Sequence, residues 1–262
     1  MKSKLLVMVI SLFICTGINI PSSYSQEPDK LHVMVDDNPP YNYAEGGELR
    51  GISTDLLSLI FKKMGFRLRK EDIEFIPWAR GYEEAQRKAG TLLCTTARIP
   101  ERENLFKWVG PIGVSRIALL ARKGSGITIS SLNDVARYGV EVVKNDTGEI
   151  IVLRSNIPKN LVGQSLTVWS SLYKLLHGDV KLVAFDETIA KSVVARMGHD
   201  IDVLEVVYIL GEENLYYALN QRFQDNFITE MQQTLDALKQ PTANNQSEYE
   251  RIMKKYGISR ED

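Results

Sequence analysis

Cysteine is scarce in this chain of 262 residues: there are two, Cys15 and Cys94. Such a pair cannot build a disulfide framework. Histidine is equally sparse, and His32, His177 and His199 stand apart from one another without the spacing to cysteine or carboxylate that a metal centre requires. No Gly-Lys-Ser phosphate loop and no Gly-x-Ser-x-Gly elbow occurs, so the common signatures of nucleotide hydrolysis and serine-hydrolase chemistry are missing. No catalytic residues, no metal and no cofactor are expected. Charge of one sign is also lacking. With 32 basic and 33 acidic residues and a formal charge of -1, the chain offers no electrostatic footprint for nucleic acid or for an anionic membrane. Long apolar runs, internal repeats and low-complexity stretches are absent beyond the first residues, and 44 % hydrophobic residues point to a packed globular fold.

The first residues read as an export signal. Lys2 and Lys4 precede an apolar run from Leu5 to Ile14, interrupted only by Ser11, and a polar stretch ends in Ser23-Tyr24-Ser25. The run is about ten residues long, half of what a membrane-spanning helix needs. Cleavage is expected after Ser25, leaving a soluble periplasmic protein, expected to be a monomer, with Cys94 as its single thiol. Cys15 raises the alternative of a lipid anchor, but bulky Phe13 and Ile14 precede it where small residues are needed.

Along the remainder, strand-like and helix-like patterns alternate, which argues for an α/β fold. Leu31 to Val35 reads as a strand. Gly51 to Gly65 reads as a helix, with Ile52, Leu56, Leu59, Ile60 and Met64 at three-to-four spacing. Strands are expected at Glu74–Ile76, Leu92–Thr95, Ile117–Leu120, Val140–Val143, Leu182–Phe185, Val203–Val207 and Tyr216–Leu219. Helices are expected at Arg80–Ala89, after Thr147, at Ser171–His177, Thr188–Met197, Gln224–Lys239 and Glu248–Tyr256. This inventory fits one wide sheet or two smaller ones; periodicity leaves both open.

An ordered series of landmarks then carries a resemblance. These are Asp36 to Tyr43 (DDNPPYNY), Leu49 to Leu56 (LRGISTDL), Trp78, Ala97 to Trp108 (ARIPERENLFKW) followed by Gly110-Pro111, Ser131 to Asp134 (SLND), Val142 to Gly148 (VVKNDTG), and Leu176 to Asp186 (LHGDVKLVAFD). In order and spacing the chain resembles the bacterial extracellular solute-binding proteins of family 3, from Leu31 to about Tyr256. The resemblance implies a two-lobed, periplasmic-binding-protein-like (type II) fold whose hinge is two crossing strands, near Ser115–Leu119 and Leu210–Tyr217. One lobe would comprise residues 26–116 with 212–262 and the other 117–211.

The same resemblance implies site residues. Arg102 would grip a ligand carboxylate, a role that suits the planar, permanently charged guanidinium fork; a surface pairing with Glu101 or Glu103 is the plainer alternative. Asp186, just beyond a strand, would meet a ligand ammonium or else cap the helix that follows. Thr147 and Gly148 open a helix whose free amides suit an anion, although Asp146 would repel one. Tyr41 and Trp78 would wall the ligand side chain, unless they are core. Arg98 departs from the pattern: it sits near Arg102, with Ile99 where a hydroxyl residue is common and Thr95 and Thr96 further upstream. Either an acid such as Asp36 or Asp37 neutralises Arg98, or the ligand carries extra negative charge; Thr96 and Asp36 accordingly join the candidate site.

The expected function is capture of a small polar, carboxylate-bearing ligand, an amino acid or derivative, for delivery to membrane importer subunits of the ABC type. Two alternatives remain: a sensory partner of a membrane receptor or kinase, and a cleft enzyme of the dehydratase or hydrolase kind. The enzyme would need an acid and a base over the substrate, for which Asp186 with Glu187 is the suggestive pair.

Overall fold

The computed structural model describes residues 31–69, 72–242 and 245–258. The expected export signal, its cleavage at Ser25 and Cys15 lie outside them. Among the described residues no helix is long and apolar enough to cross a membrane.

Two strands of 17 residues each, β6 (Phe106–Arg122) and β10 (Leu204–Asn220), organise the molecule. They pair antiparallel along nearly their whole length, with Val114 opposite Asn214 and Ser115 opposite Glu213 near the middle. On one flank lie the parallel strands β1 (His32–Val35), β4 (Ile73–Phe75) and β5 (Thr91–Ala97). On the other lie β7 (Val140–Val143), β8 (Val162–Ser165) and β9 (Val183–Asp186), also parallel to one another. The resulting order is β4-β1-β5-β10-β6-β9-β7-β8. Each flank is a small α/β unit, and β6 with β10 is the connection between them. This is the two-lobed α/β clamp, with its two crossing strands drawn as one continuous sheet.

Alternation along the strands explains how both faces of the second unit are covered. Ala118 and Leu120 of β6 and Val183 and Phe185 of β9 join a core that extends to Leu172 of α4 (Val168–His177) and Val193 of α5 (Glu187–Arg196). Leu119, Leu182 and Ala184 face the opposite way, onto Val142 and Val152 of α3 (Thr147–Arg154). A strand buried on both faces reads as an unbroken apolar run, as Leu182 to Phe185 does. In the first unit α1 (Ile52–Lys63) buries Leu56, Leu57, Ile60 and Phe61, and it packs on α6 (Asp225–Lys239) and α7 (Glu248–Lys255). Each such side chain contributes about 1.5–3 kcal/mol by burial. α2 (Trp78–Arg87) covers β1 and β5.

Several boundaries differ from expectation. The strands expected at Val203–Val207 and Tyr216–Leu219 are one strand, β10, because pairing with β6 carries the extended backbone through Gly211 and the acidic pair Glu212-Glu213. α4 starts three residues earlier than its apolar spacing suggests, where the Thr167 hydroxyl accepts from the Ser170 amide at 3.2 Å. The β2 (Tyr43–Glu45) and β3 (Glu48–Arg50) hairpin and the edge strand β8 carry too few apolar residues to announce themselves.

Candidate functional site

A cavity of about 190 Å³ lies where the two units meet. Its walls come from segments that follow the carboxyl ends of the parallel strands. Asp36, Asp37 and Asn38 follow β1, Phe75 to Trp78 close β4 and open α2, Asp146 follows β7, Thr167 to Trp169 follow β8, and Phe185 is in β9. Ligands of open α/β sheets bind in this position.

Arg102 lies at the seam and is fully buried. It belongs to the turn Pro100–Leu105 in the first unit, and one Nη donates to the Ala97 carbonyl at 3.0 Å. The same nitrogen reaches the Thr147 hydroxyl at 3.2 Å, and the other Nη donates to the Asn145 carbonyl at 2.7 Å, both in the second unit. Its Cζ stands 5.5 Å from the Trp78 ring centre and 5.2 Å from that of Tyr82. Among the described residues its Nε has no acceptor, and no carboxylate forms an ion pair with it. Burial pulls its pKa down, and the nearby Asp146 charge opposes that. A desolvated cation held by neutral oxygens and aromatic faces is poised for an anion. The surface pairing with Glu101 or Glu103 does not occur, because those acids hold Arg154 and Arg98.

Of the nearby acids Asp146 acts on this guanidinium, and it acts in turn on Asp36 and Asp186. Asp36 is buried and accepts from Asn38 at 2.7 Å and from Asn42 at 3.2 Å; burial nevertheless raises its pKa from 3.8 to about 7. Asp186 is buried at the end of β9, where it takes the Ser115 hydroxyl at 2.6 Å and the Ile189 amide at 2.7 Å. It therefore caps α5 and ties that helix to the crossing strand β6, and burial raises its pKa to about 6. Asp146, half-buried, has its pKa raised for the same reason and acts electrostatically on both. Its carboxylate accepts from the Gly148 amide at 3.0 Å, so the chain itself takes an α3 amide that the sequence offered to an anion. Gly148 is required because a Cβ there would lie 2.5 Å from the Ala184 carbonyl oxygen of β9.

The remaining candidates divide. Trp78 walls the cavity, and its indole N–H is buried without an acceptor among the described residues. Tyr41 is turned to the crossing strands instead: its hydroxyl donates to the Val114 carbonyl at 3.1 Å, and its ring lies where a Cβ on Gly113 would have to be. Thr96 is buried within β5 and does not line the cavity. Arg98 corrects an expectation. It pairs with neither Asp36 nor Asp37 but with Glu103, through contacts of 2.6 and 2.8 Å, and its guanidinium lies over Trp108 and Tyr216. It lines a separate surface recess with Pro100, Glu103, Asn214 and Tyr216 rather than the cavity. Asp37 pairs with Arg196 at 2.7 Å, and Glu187 pairs with Arg116 and Lys191.

Trp169, Phe75 and Asn38 line the cavity although nothing in the sequence reading assigned them. Trp169 lay just before the expected start of its helix; the Thr167 cap was the available signal. Its indole N–H, too, is buried without an acceptor among the described residues. Among the described residues no group of three or more metal-ligating side chains is found.

The family model described as bacterial extracellular solute-binding proteins, family 3, matches residues 31–259. Among curated proteins a sequence comparison finds no match. Solved structures with the same fold include a mutant of the arginine-binding protein ArgBP from T. maritima, at 19 % identity and a TM-score of 0.73, covering 87 % of this chain and 94 % of that one. ArtJ, an arginine-, lysine-, histidine-binding protein from Geobacillus stearothermophilus, aligns at 19 % identity and 0.73, covering 87 % and 95 %. A histidine kinase sensor domain with similarity to periplasmic binding proteins aligns at 18 % identity and 0.72, covering 87 % and 96 %.

Proposed function

Because the chain belongs to the bacterial extracellular solute-binding proteins of family 3, we propose that it captures a small polar, carboxylate-bearing solute, an amino acid or a derivative, in the cleft and delivers it to an ABC-type importer. The observation that carries this reading is Arg102: a buried guanidinium at the seam with, among the described residues, no ion pair and no acceptor for its Nε–H, near Trp78, whose indole N–H likewise lacks one. The solute carboxylate would accept from Arg102, its ammonium would meet the acids around Asp186, and Trp78 with Trp169 would enclose the remainder.

On this reading residues 26–116 with 212–262 move as one lobe and 117–211 as the other, flexing where β6 and β10 cross, and the protein works in the periplasm after cleavage near Ser25. Contacts from both lobes are satisfied together only when the lobes meet, so the solute shifts the population toward the closed form that the importer recognises. A thermal-shift screen of amino acids, dicarboxylates and small peptides tests the binding, since a ligand of the folded state raises Tm. Small-angle scattering tests the movement: a binder that produces no compaction rejects it. The likeness to a kinase sensor domain supports a second reading, in which the closed clamp signals to a membrane receptor. Cross-linking in membranes separates the two by the protein captured, a permease subunit or a kinase.

A further inference from the structure

Arg196 ends α5 in the second unit, yet most of its contacts lie in the first. One Nη donates to Asp37 Oδ1 at 2.7 Å and the other to the Ala44 carbonyl at 2.8 Å. Its Cζ lies 5.1 Å from the ring centre of Tyr43 and 5.5 Å from that of Trp169. A carboxylate, a carbonyl oxygen and two aromatic faces are the components of a guanidinium site. Two of them, Asp37 and Trp169, are also walls of the cavity. The chain has thus built a cation place against the cavity wall, from both units, and has filled it with its own side chain.

We propose that Arg196 is a specificity-determining residue of the cleft, an internal competitor that reserves this place and restricts the solute to one without a second cation. The proposal rests on the reading of the cleft as a solute site and adds the class: neutral or acidic amino acids rather than basic ones. Three physical consequences of the contacts lead there. Asp37 is already neutralised, so a ligand cation arriving at it would face the Arg196 charge. The Tyr43 and Trp169 faces are already in use. The cavity of about 190 Å³ already reaches Asp37 and Trp169, so a cationic ligand long enough to touch them would meet the Arg196 guanidinium there instead of free partners.

Removing that side chain should convert the wall into an open cation site. In Arg196→Ala, millimolar methylguanidinium should change tryptophan fluorescence and raise Tm, while the wild type and the Arg196→Ala/Asp37→Asn double variant should not respond. Affinity for arginine relative to its neutral isostere citrulline should rise at least tenfold over the wild-type ratio. Should Arg196→Ala fail to fold by circular dichroism, Arg196→Gln supports the same comparison. A folded variant that ignores methylguanidinium, or a wild type that responds equally, overturns the proposal, as does an unchanged arginine-to-citrulline ratio. If no amino acid binds either protein, the solute reading fails, while the methylguanidinium result still decides the role of Arg196.

Discussion

Two sets of ionisable groups differ: a floor set, in which Asp36 is buried in the cavity wall and Arg102 and Asp186 are buried without lining it, none in an ion pair among the described residues; and a rim set, Arg98, Arg154 and Arg196, each of which meets a carboxylate, on Glu103, Glu101 and Asp37. The rim pairs are partly solvated and follow the rule for surface salt bridges, with small individual contributions. The floor charges are desolvated and held by neutral hydrogen bonds, an arrangement that costs stability. On the proposed reading these groups are kept for a ligand rather than for the stability of the folded chain.

The sharpest way to break the comparison is Arg102→Met. Affinity for the solute should fall by at least thirtyfold, the scale of about 2–5 kcal/mol for truncating one member of a buried charge pair. The thermal stability of the unliganded protein should be unchanged or higher, because replacing a buried charge with apolar volume is often neutral or stabilising. A variant that loses both binding and stability would place Arg102 among structural residues.

Next in size is a dependence on pH. Asp36, with its pKa raised from 3.8 to about 7, and Asp186, raised to about 6, hold protons in the folded chain that the unfolded chain releases. Their contribution is therefore complete below about pH 4 and is lost as pH rises through 6 to 7. Urea unfolding at pH 5 and pH 7.5 should show a loss on the order of 2–4 kcal/mol, and Asp36→Asn should remove most of that slope. A rise in stability over the same interval would contradict the description of the floor.

A smaller effect is expected for Thr147→Val, which takes from Arg102 its side-chain acceptor across the seam. About 1 kcal/mol of closed-state stability should go with it, read as a larger radius of gyration before any solute is added. The smallest belongs to the rim: Arg98→Ala should cost under about 1 kcal/mol and leave affinity nearly unchanged. A large loss of affinity there would bring Arg98 back into the site.

Much of the fold was legible because apolar spacing is strong where burial is strong. The helix expected at Gly51–Gly65 is α1 over Ile52–Lys63, and the run at Leu182–Phe185 is a central strand buried on both faces. What escaped was set by pairing across the chain. β10 is continuous only because β6 holds it, and the β2–β3 hairpin is mostly solvent-exposed. At the site, the family resemblance singled out Arg102, Trp78 and Asp186, and Asp36 entered as a partner for Arg98, but neither route says anything about direction. Arg98 and Arg102 are four residues apart, yet Arg98 stays with Glu103 while Arg102 crosses the seam to Thr147 and Asn145, and Tyr41 turns to Gly113 and Val114. Arg196 stood within a helical pattern that already explained it and Trp169 just before one, and only the meeting of the two units shows that they lie against each other beside the cavity.

The account stands or falls on whether a carboxylate is bound at Arg102. Titration calorimetry of the wild type and Arg102→Met against an amino acid from the thermal-shift screen, and against the same compound with its carboxylate amidated, is the direct test. Binding is predicted to need both the free carboxylate and Arg102; equal binding of the amide, or undiminished binding by Arg102→Met, would contradict it.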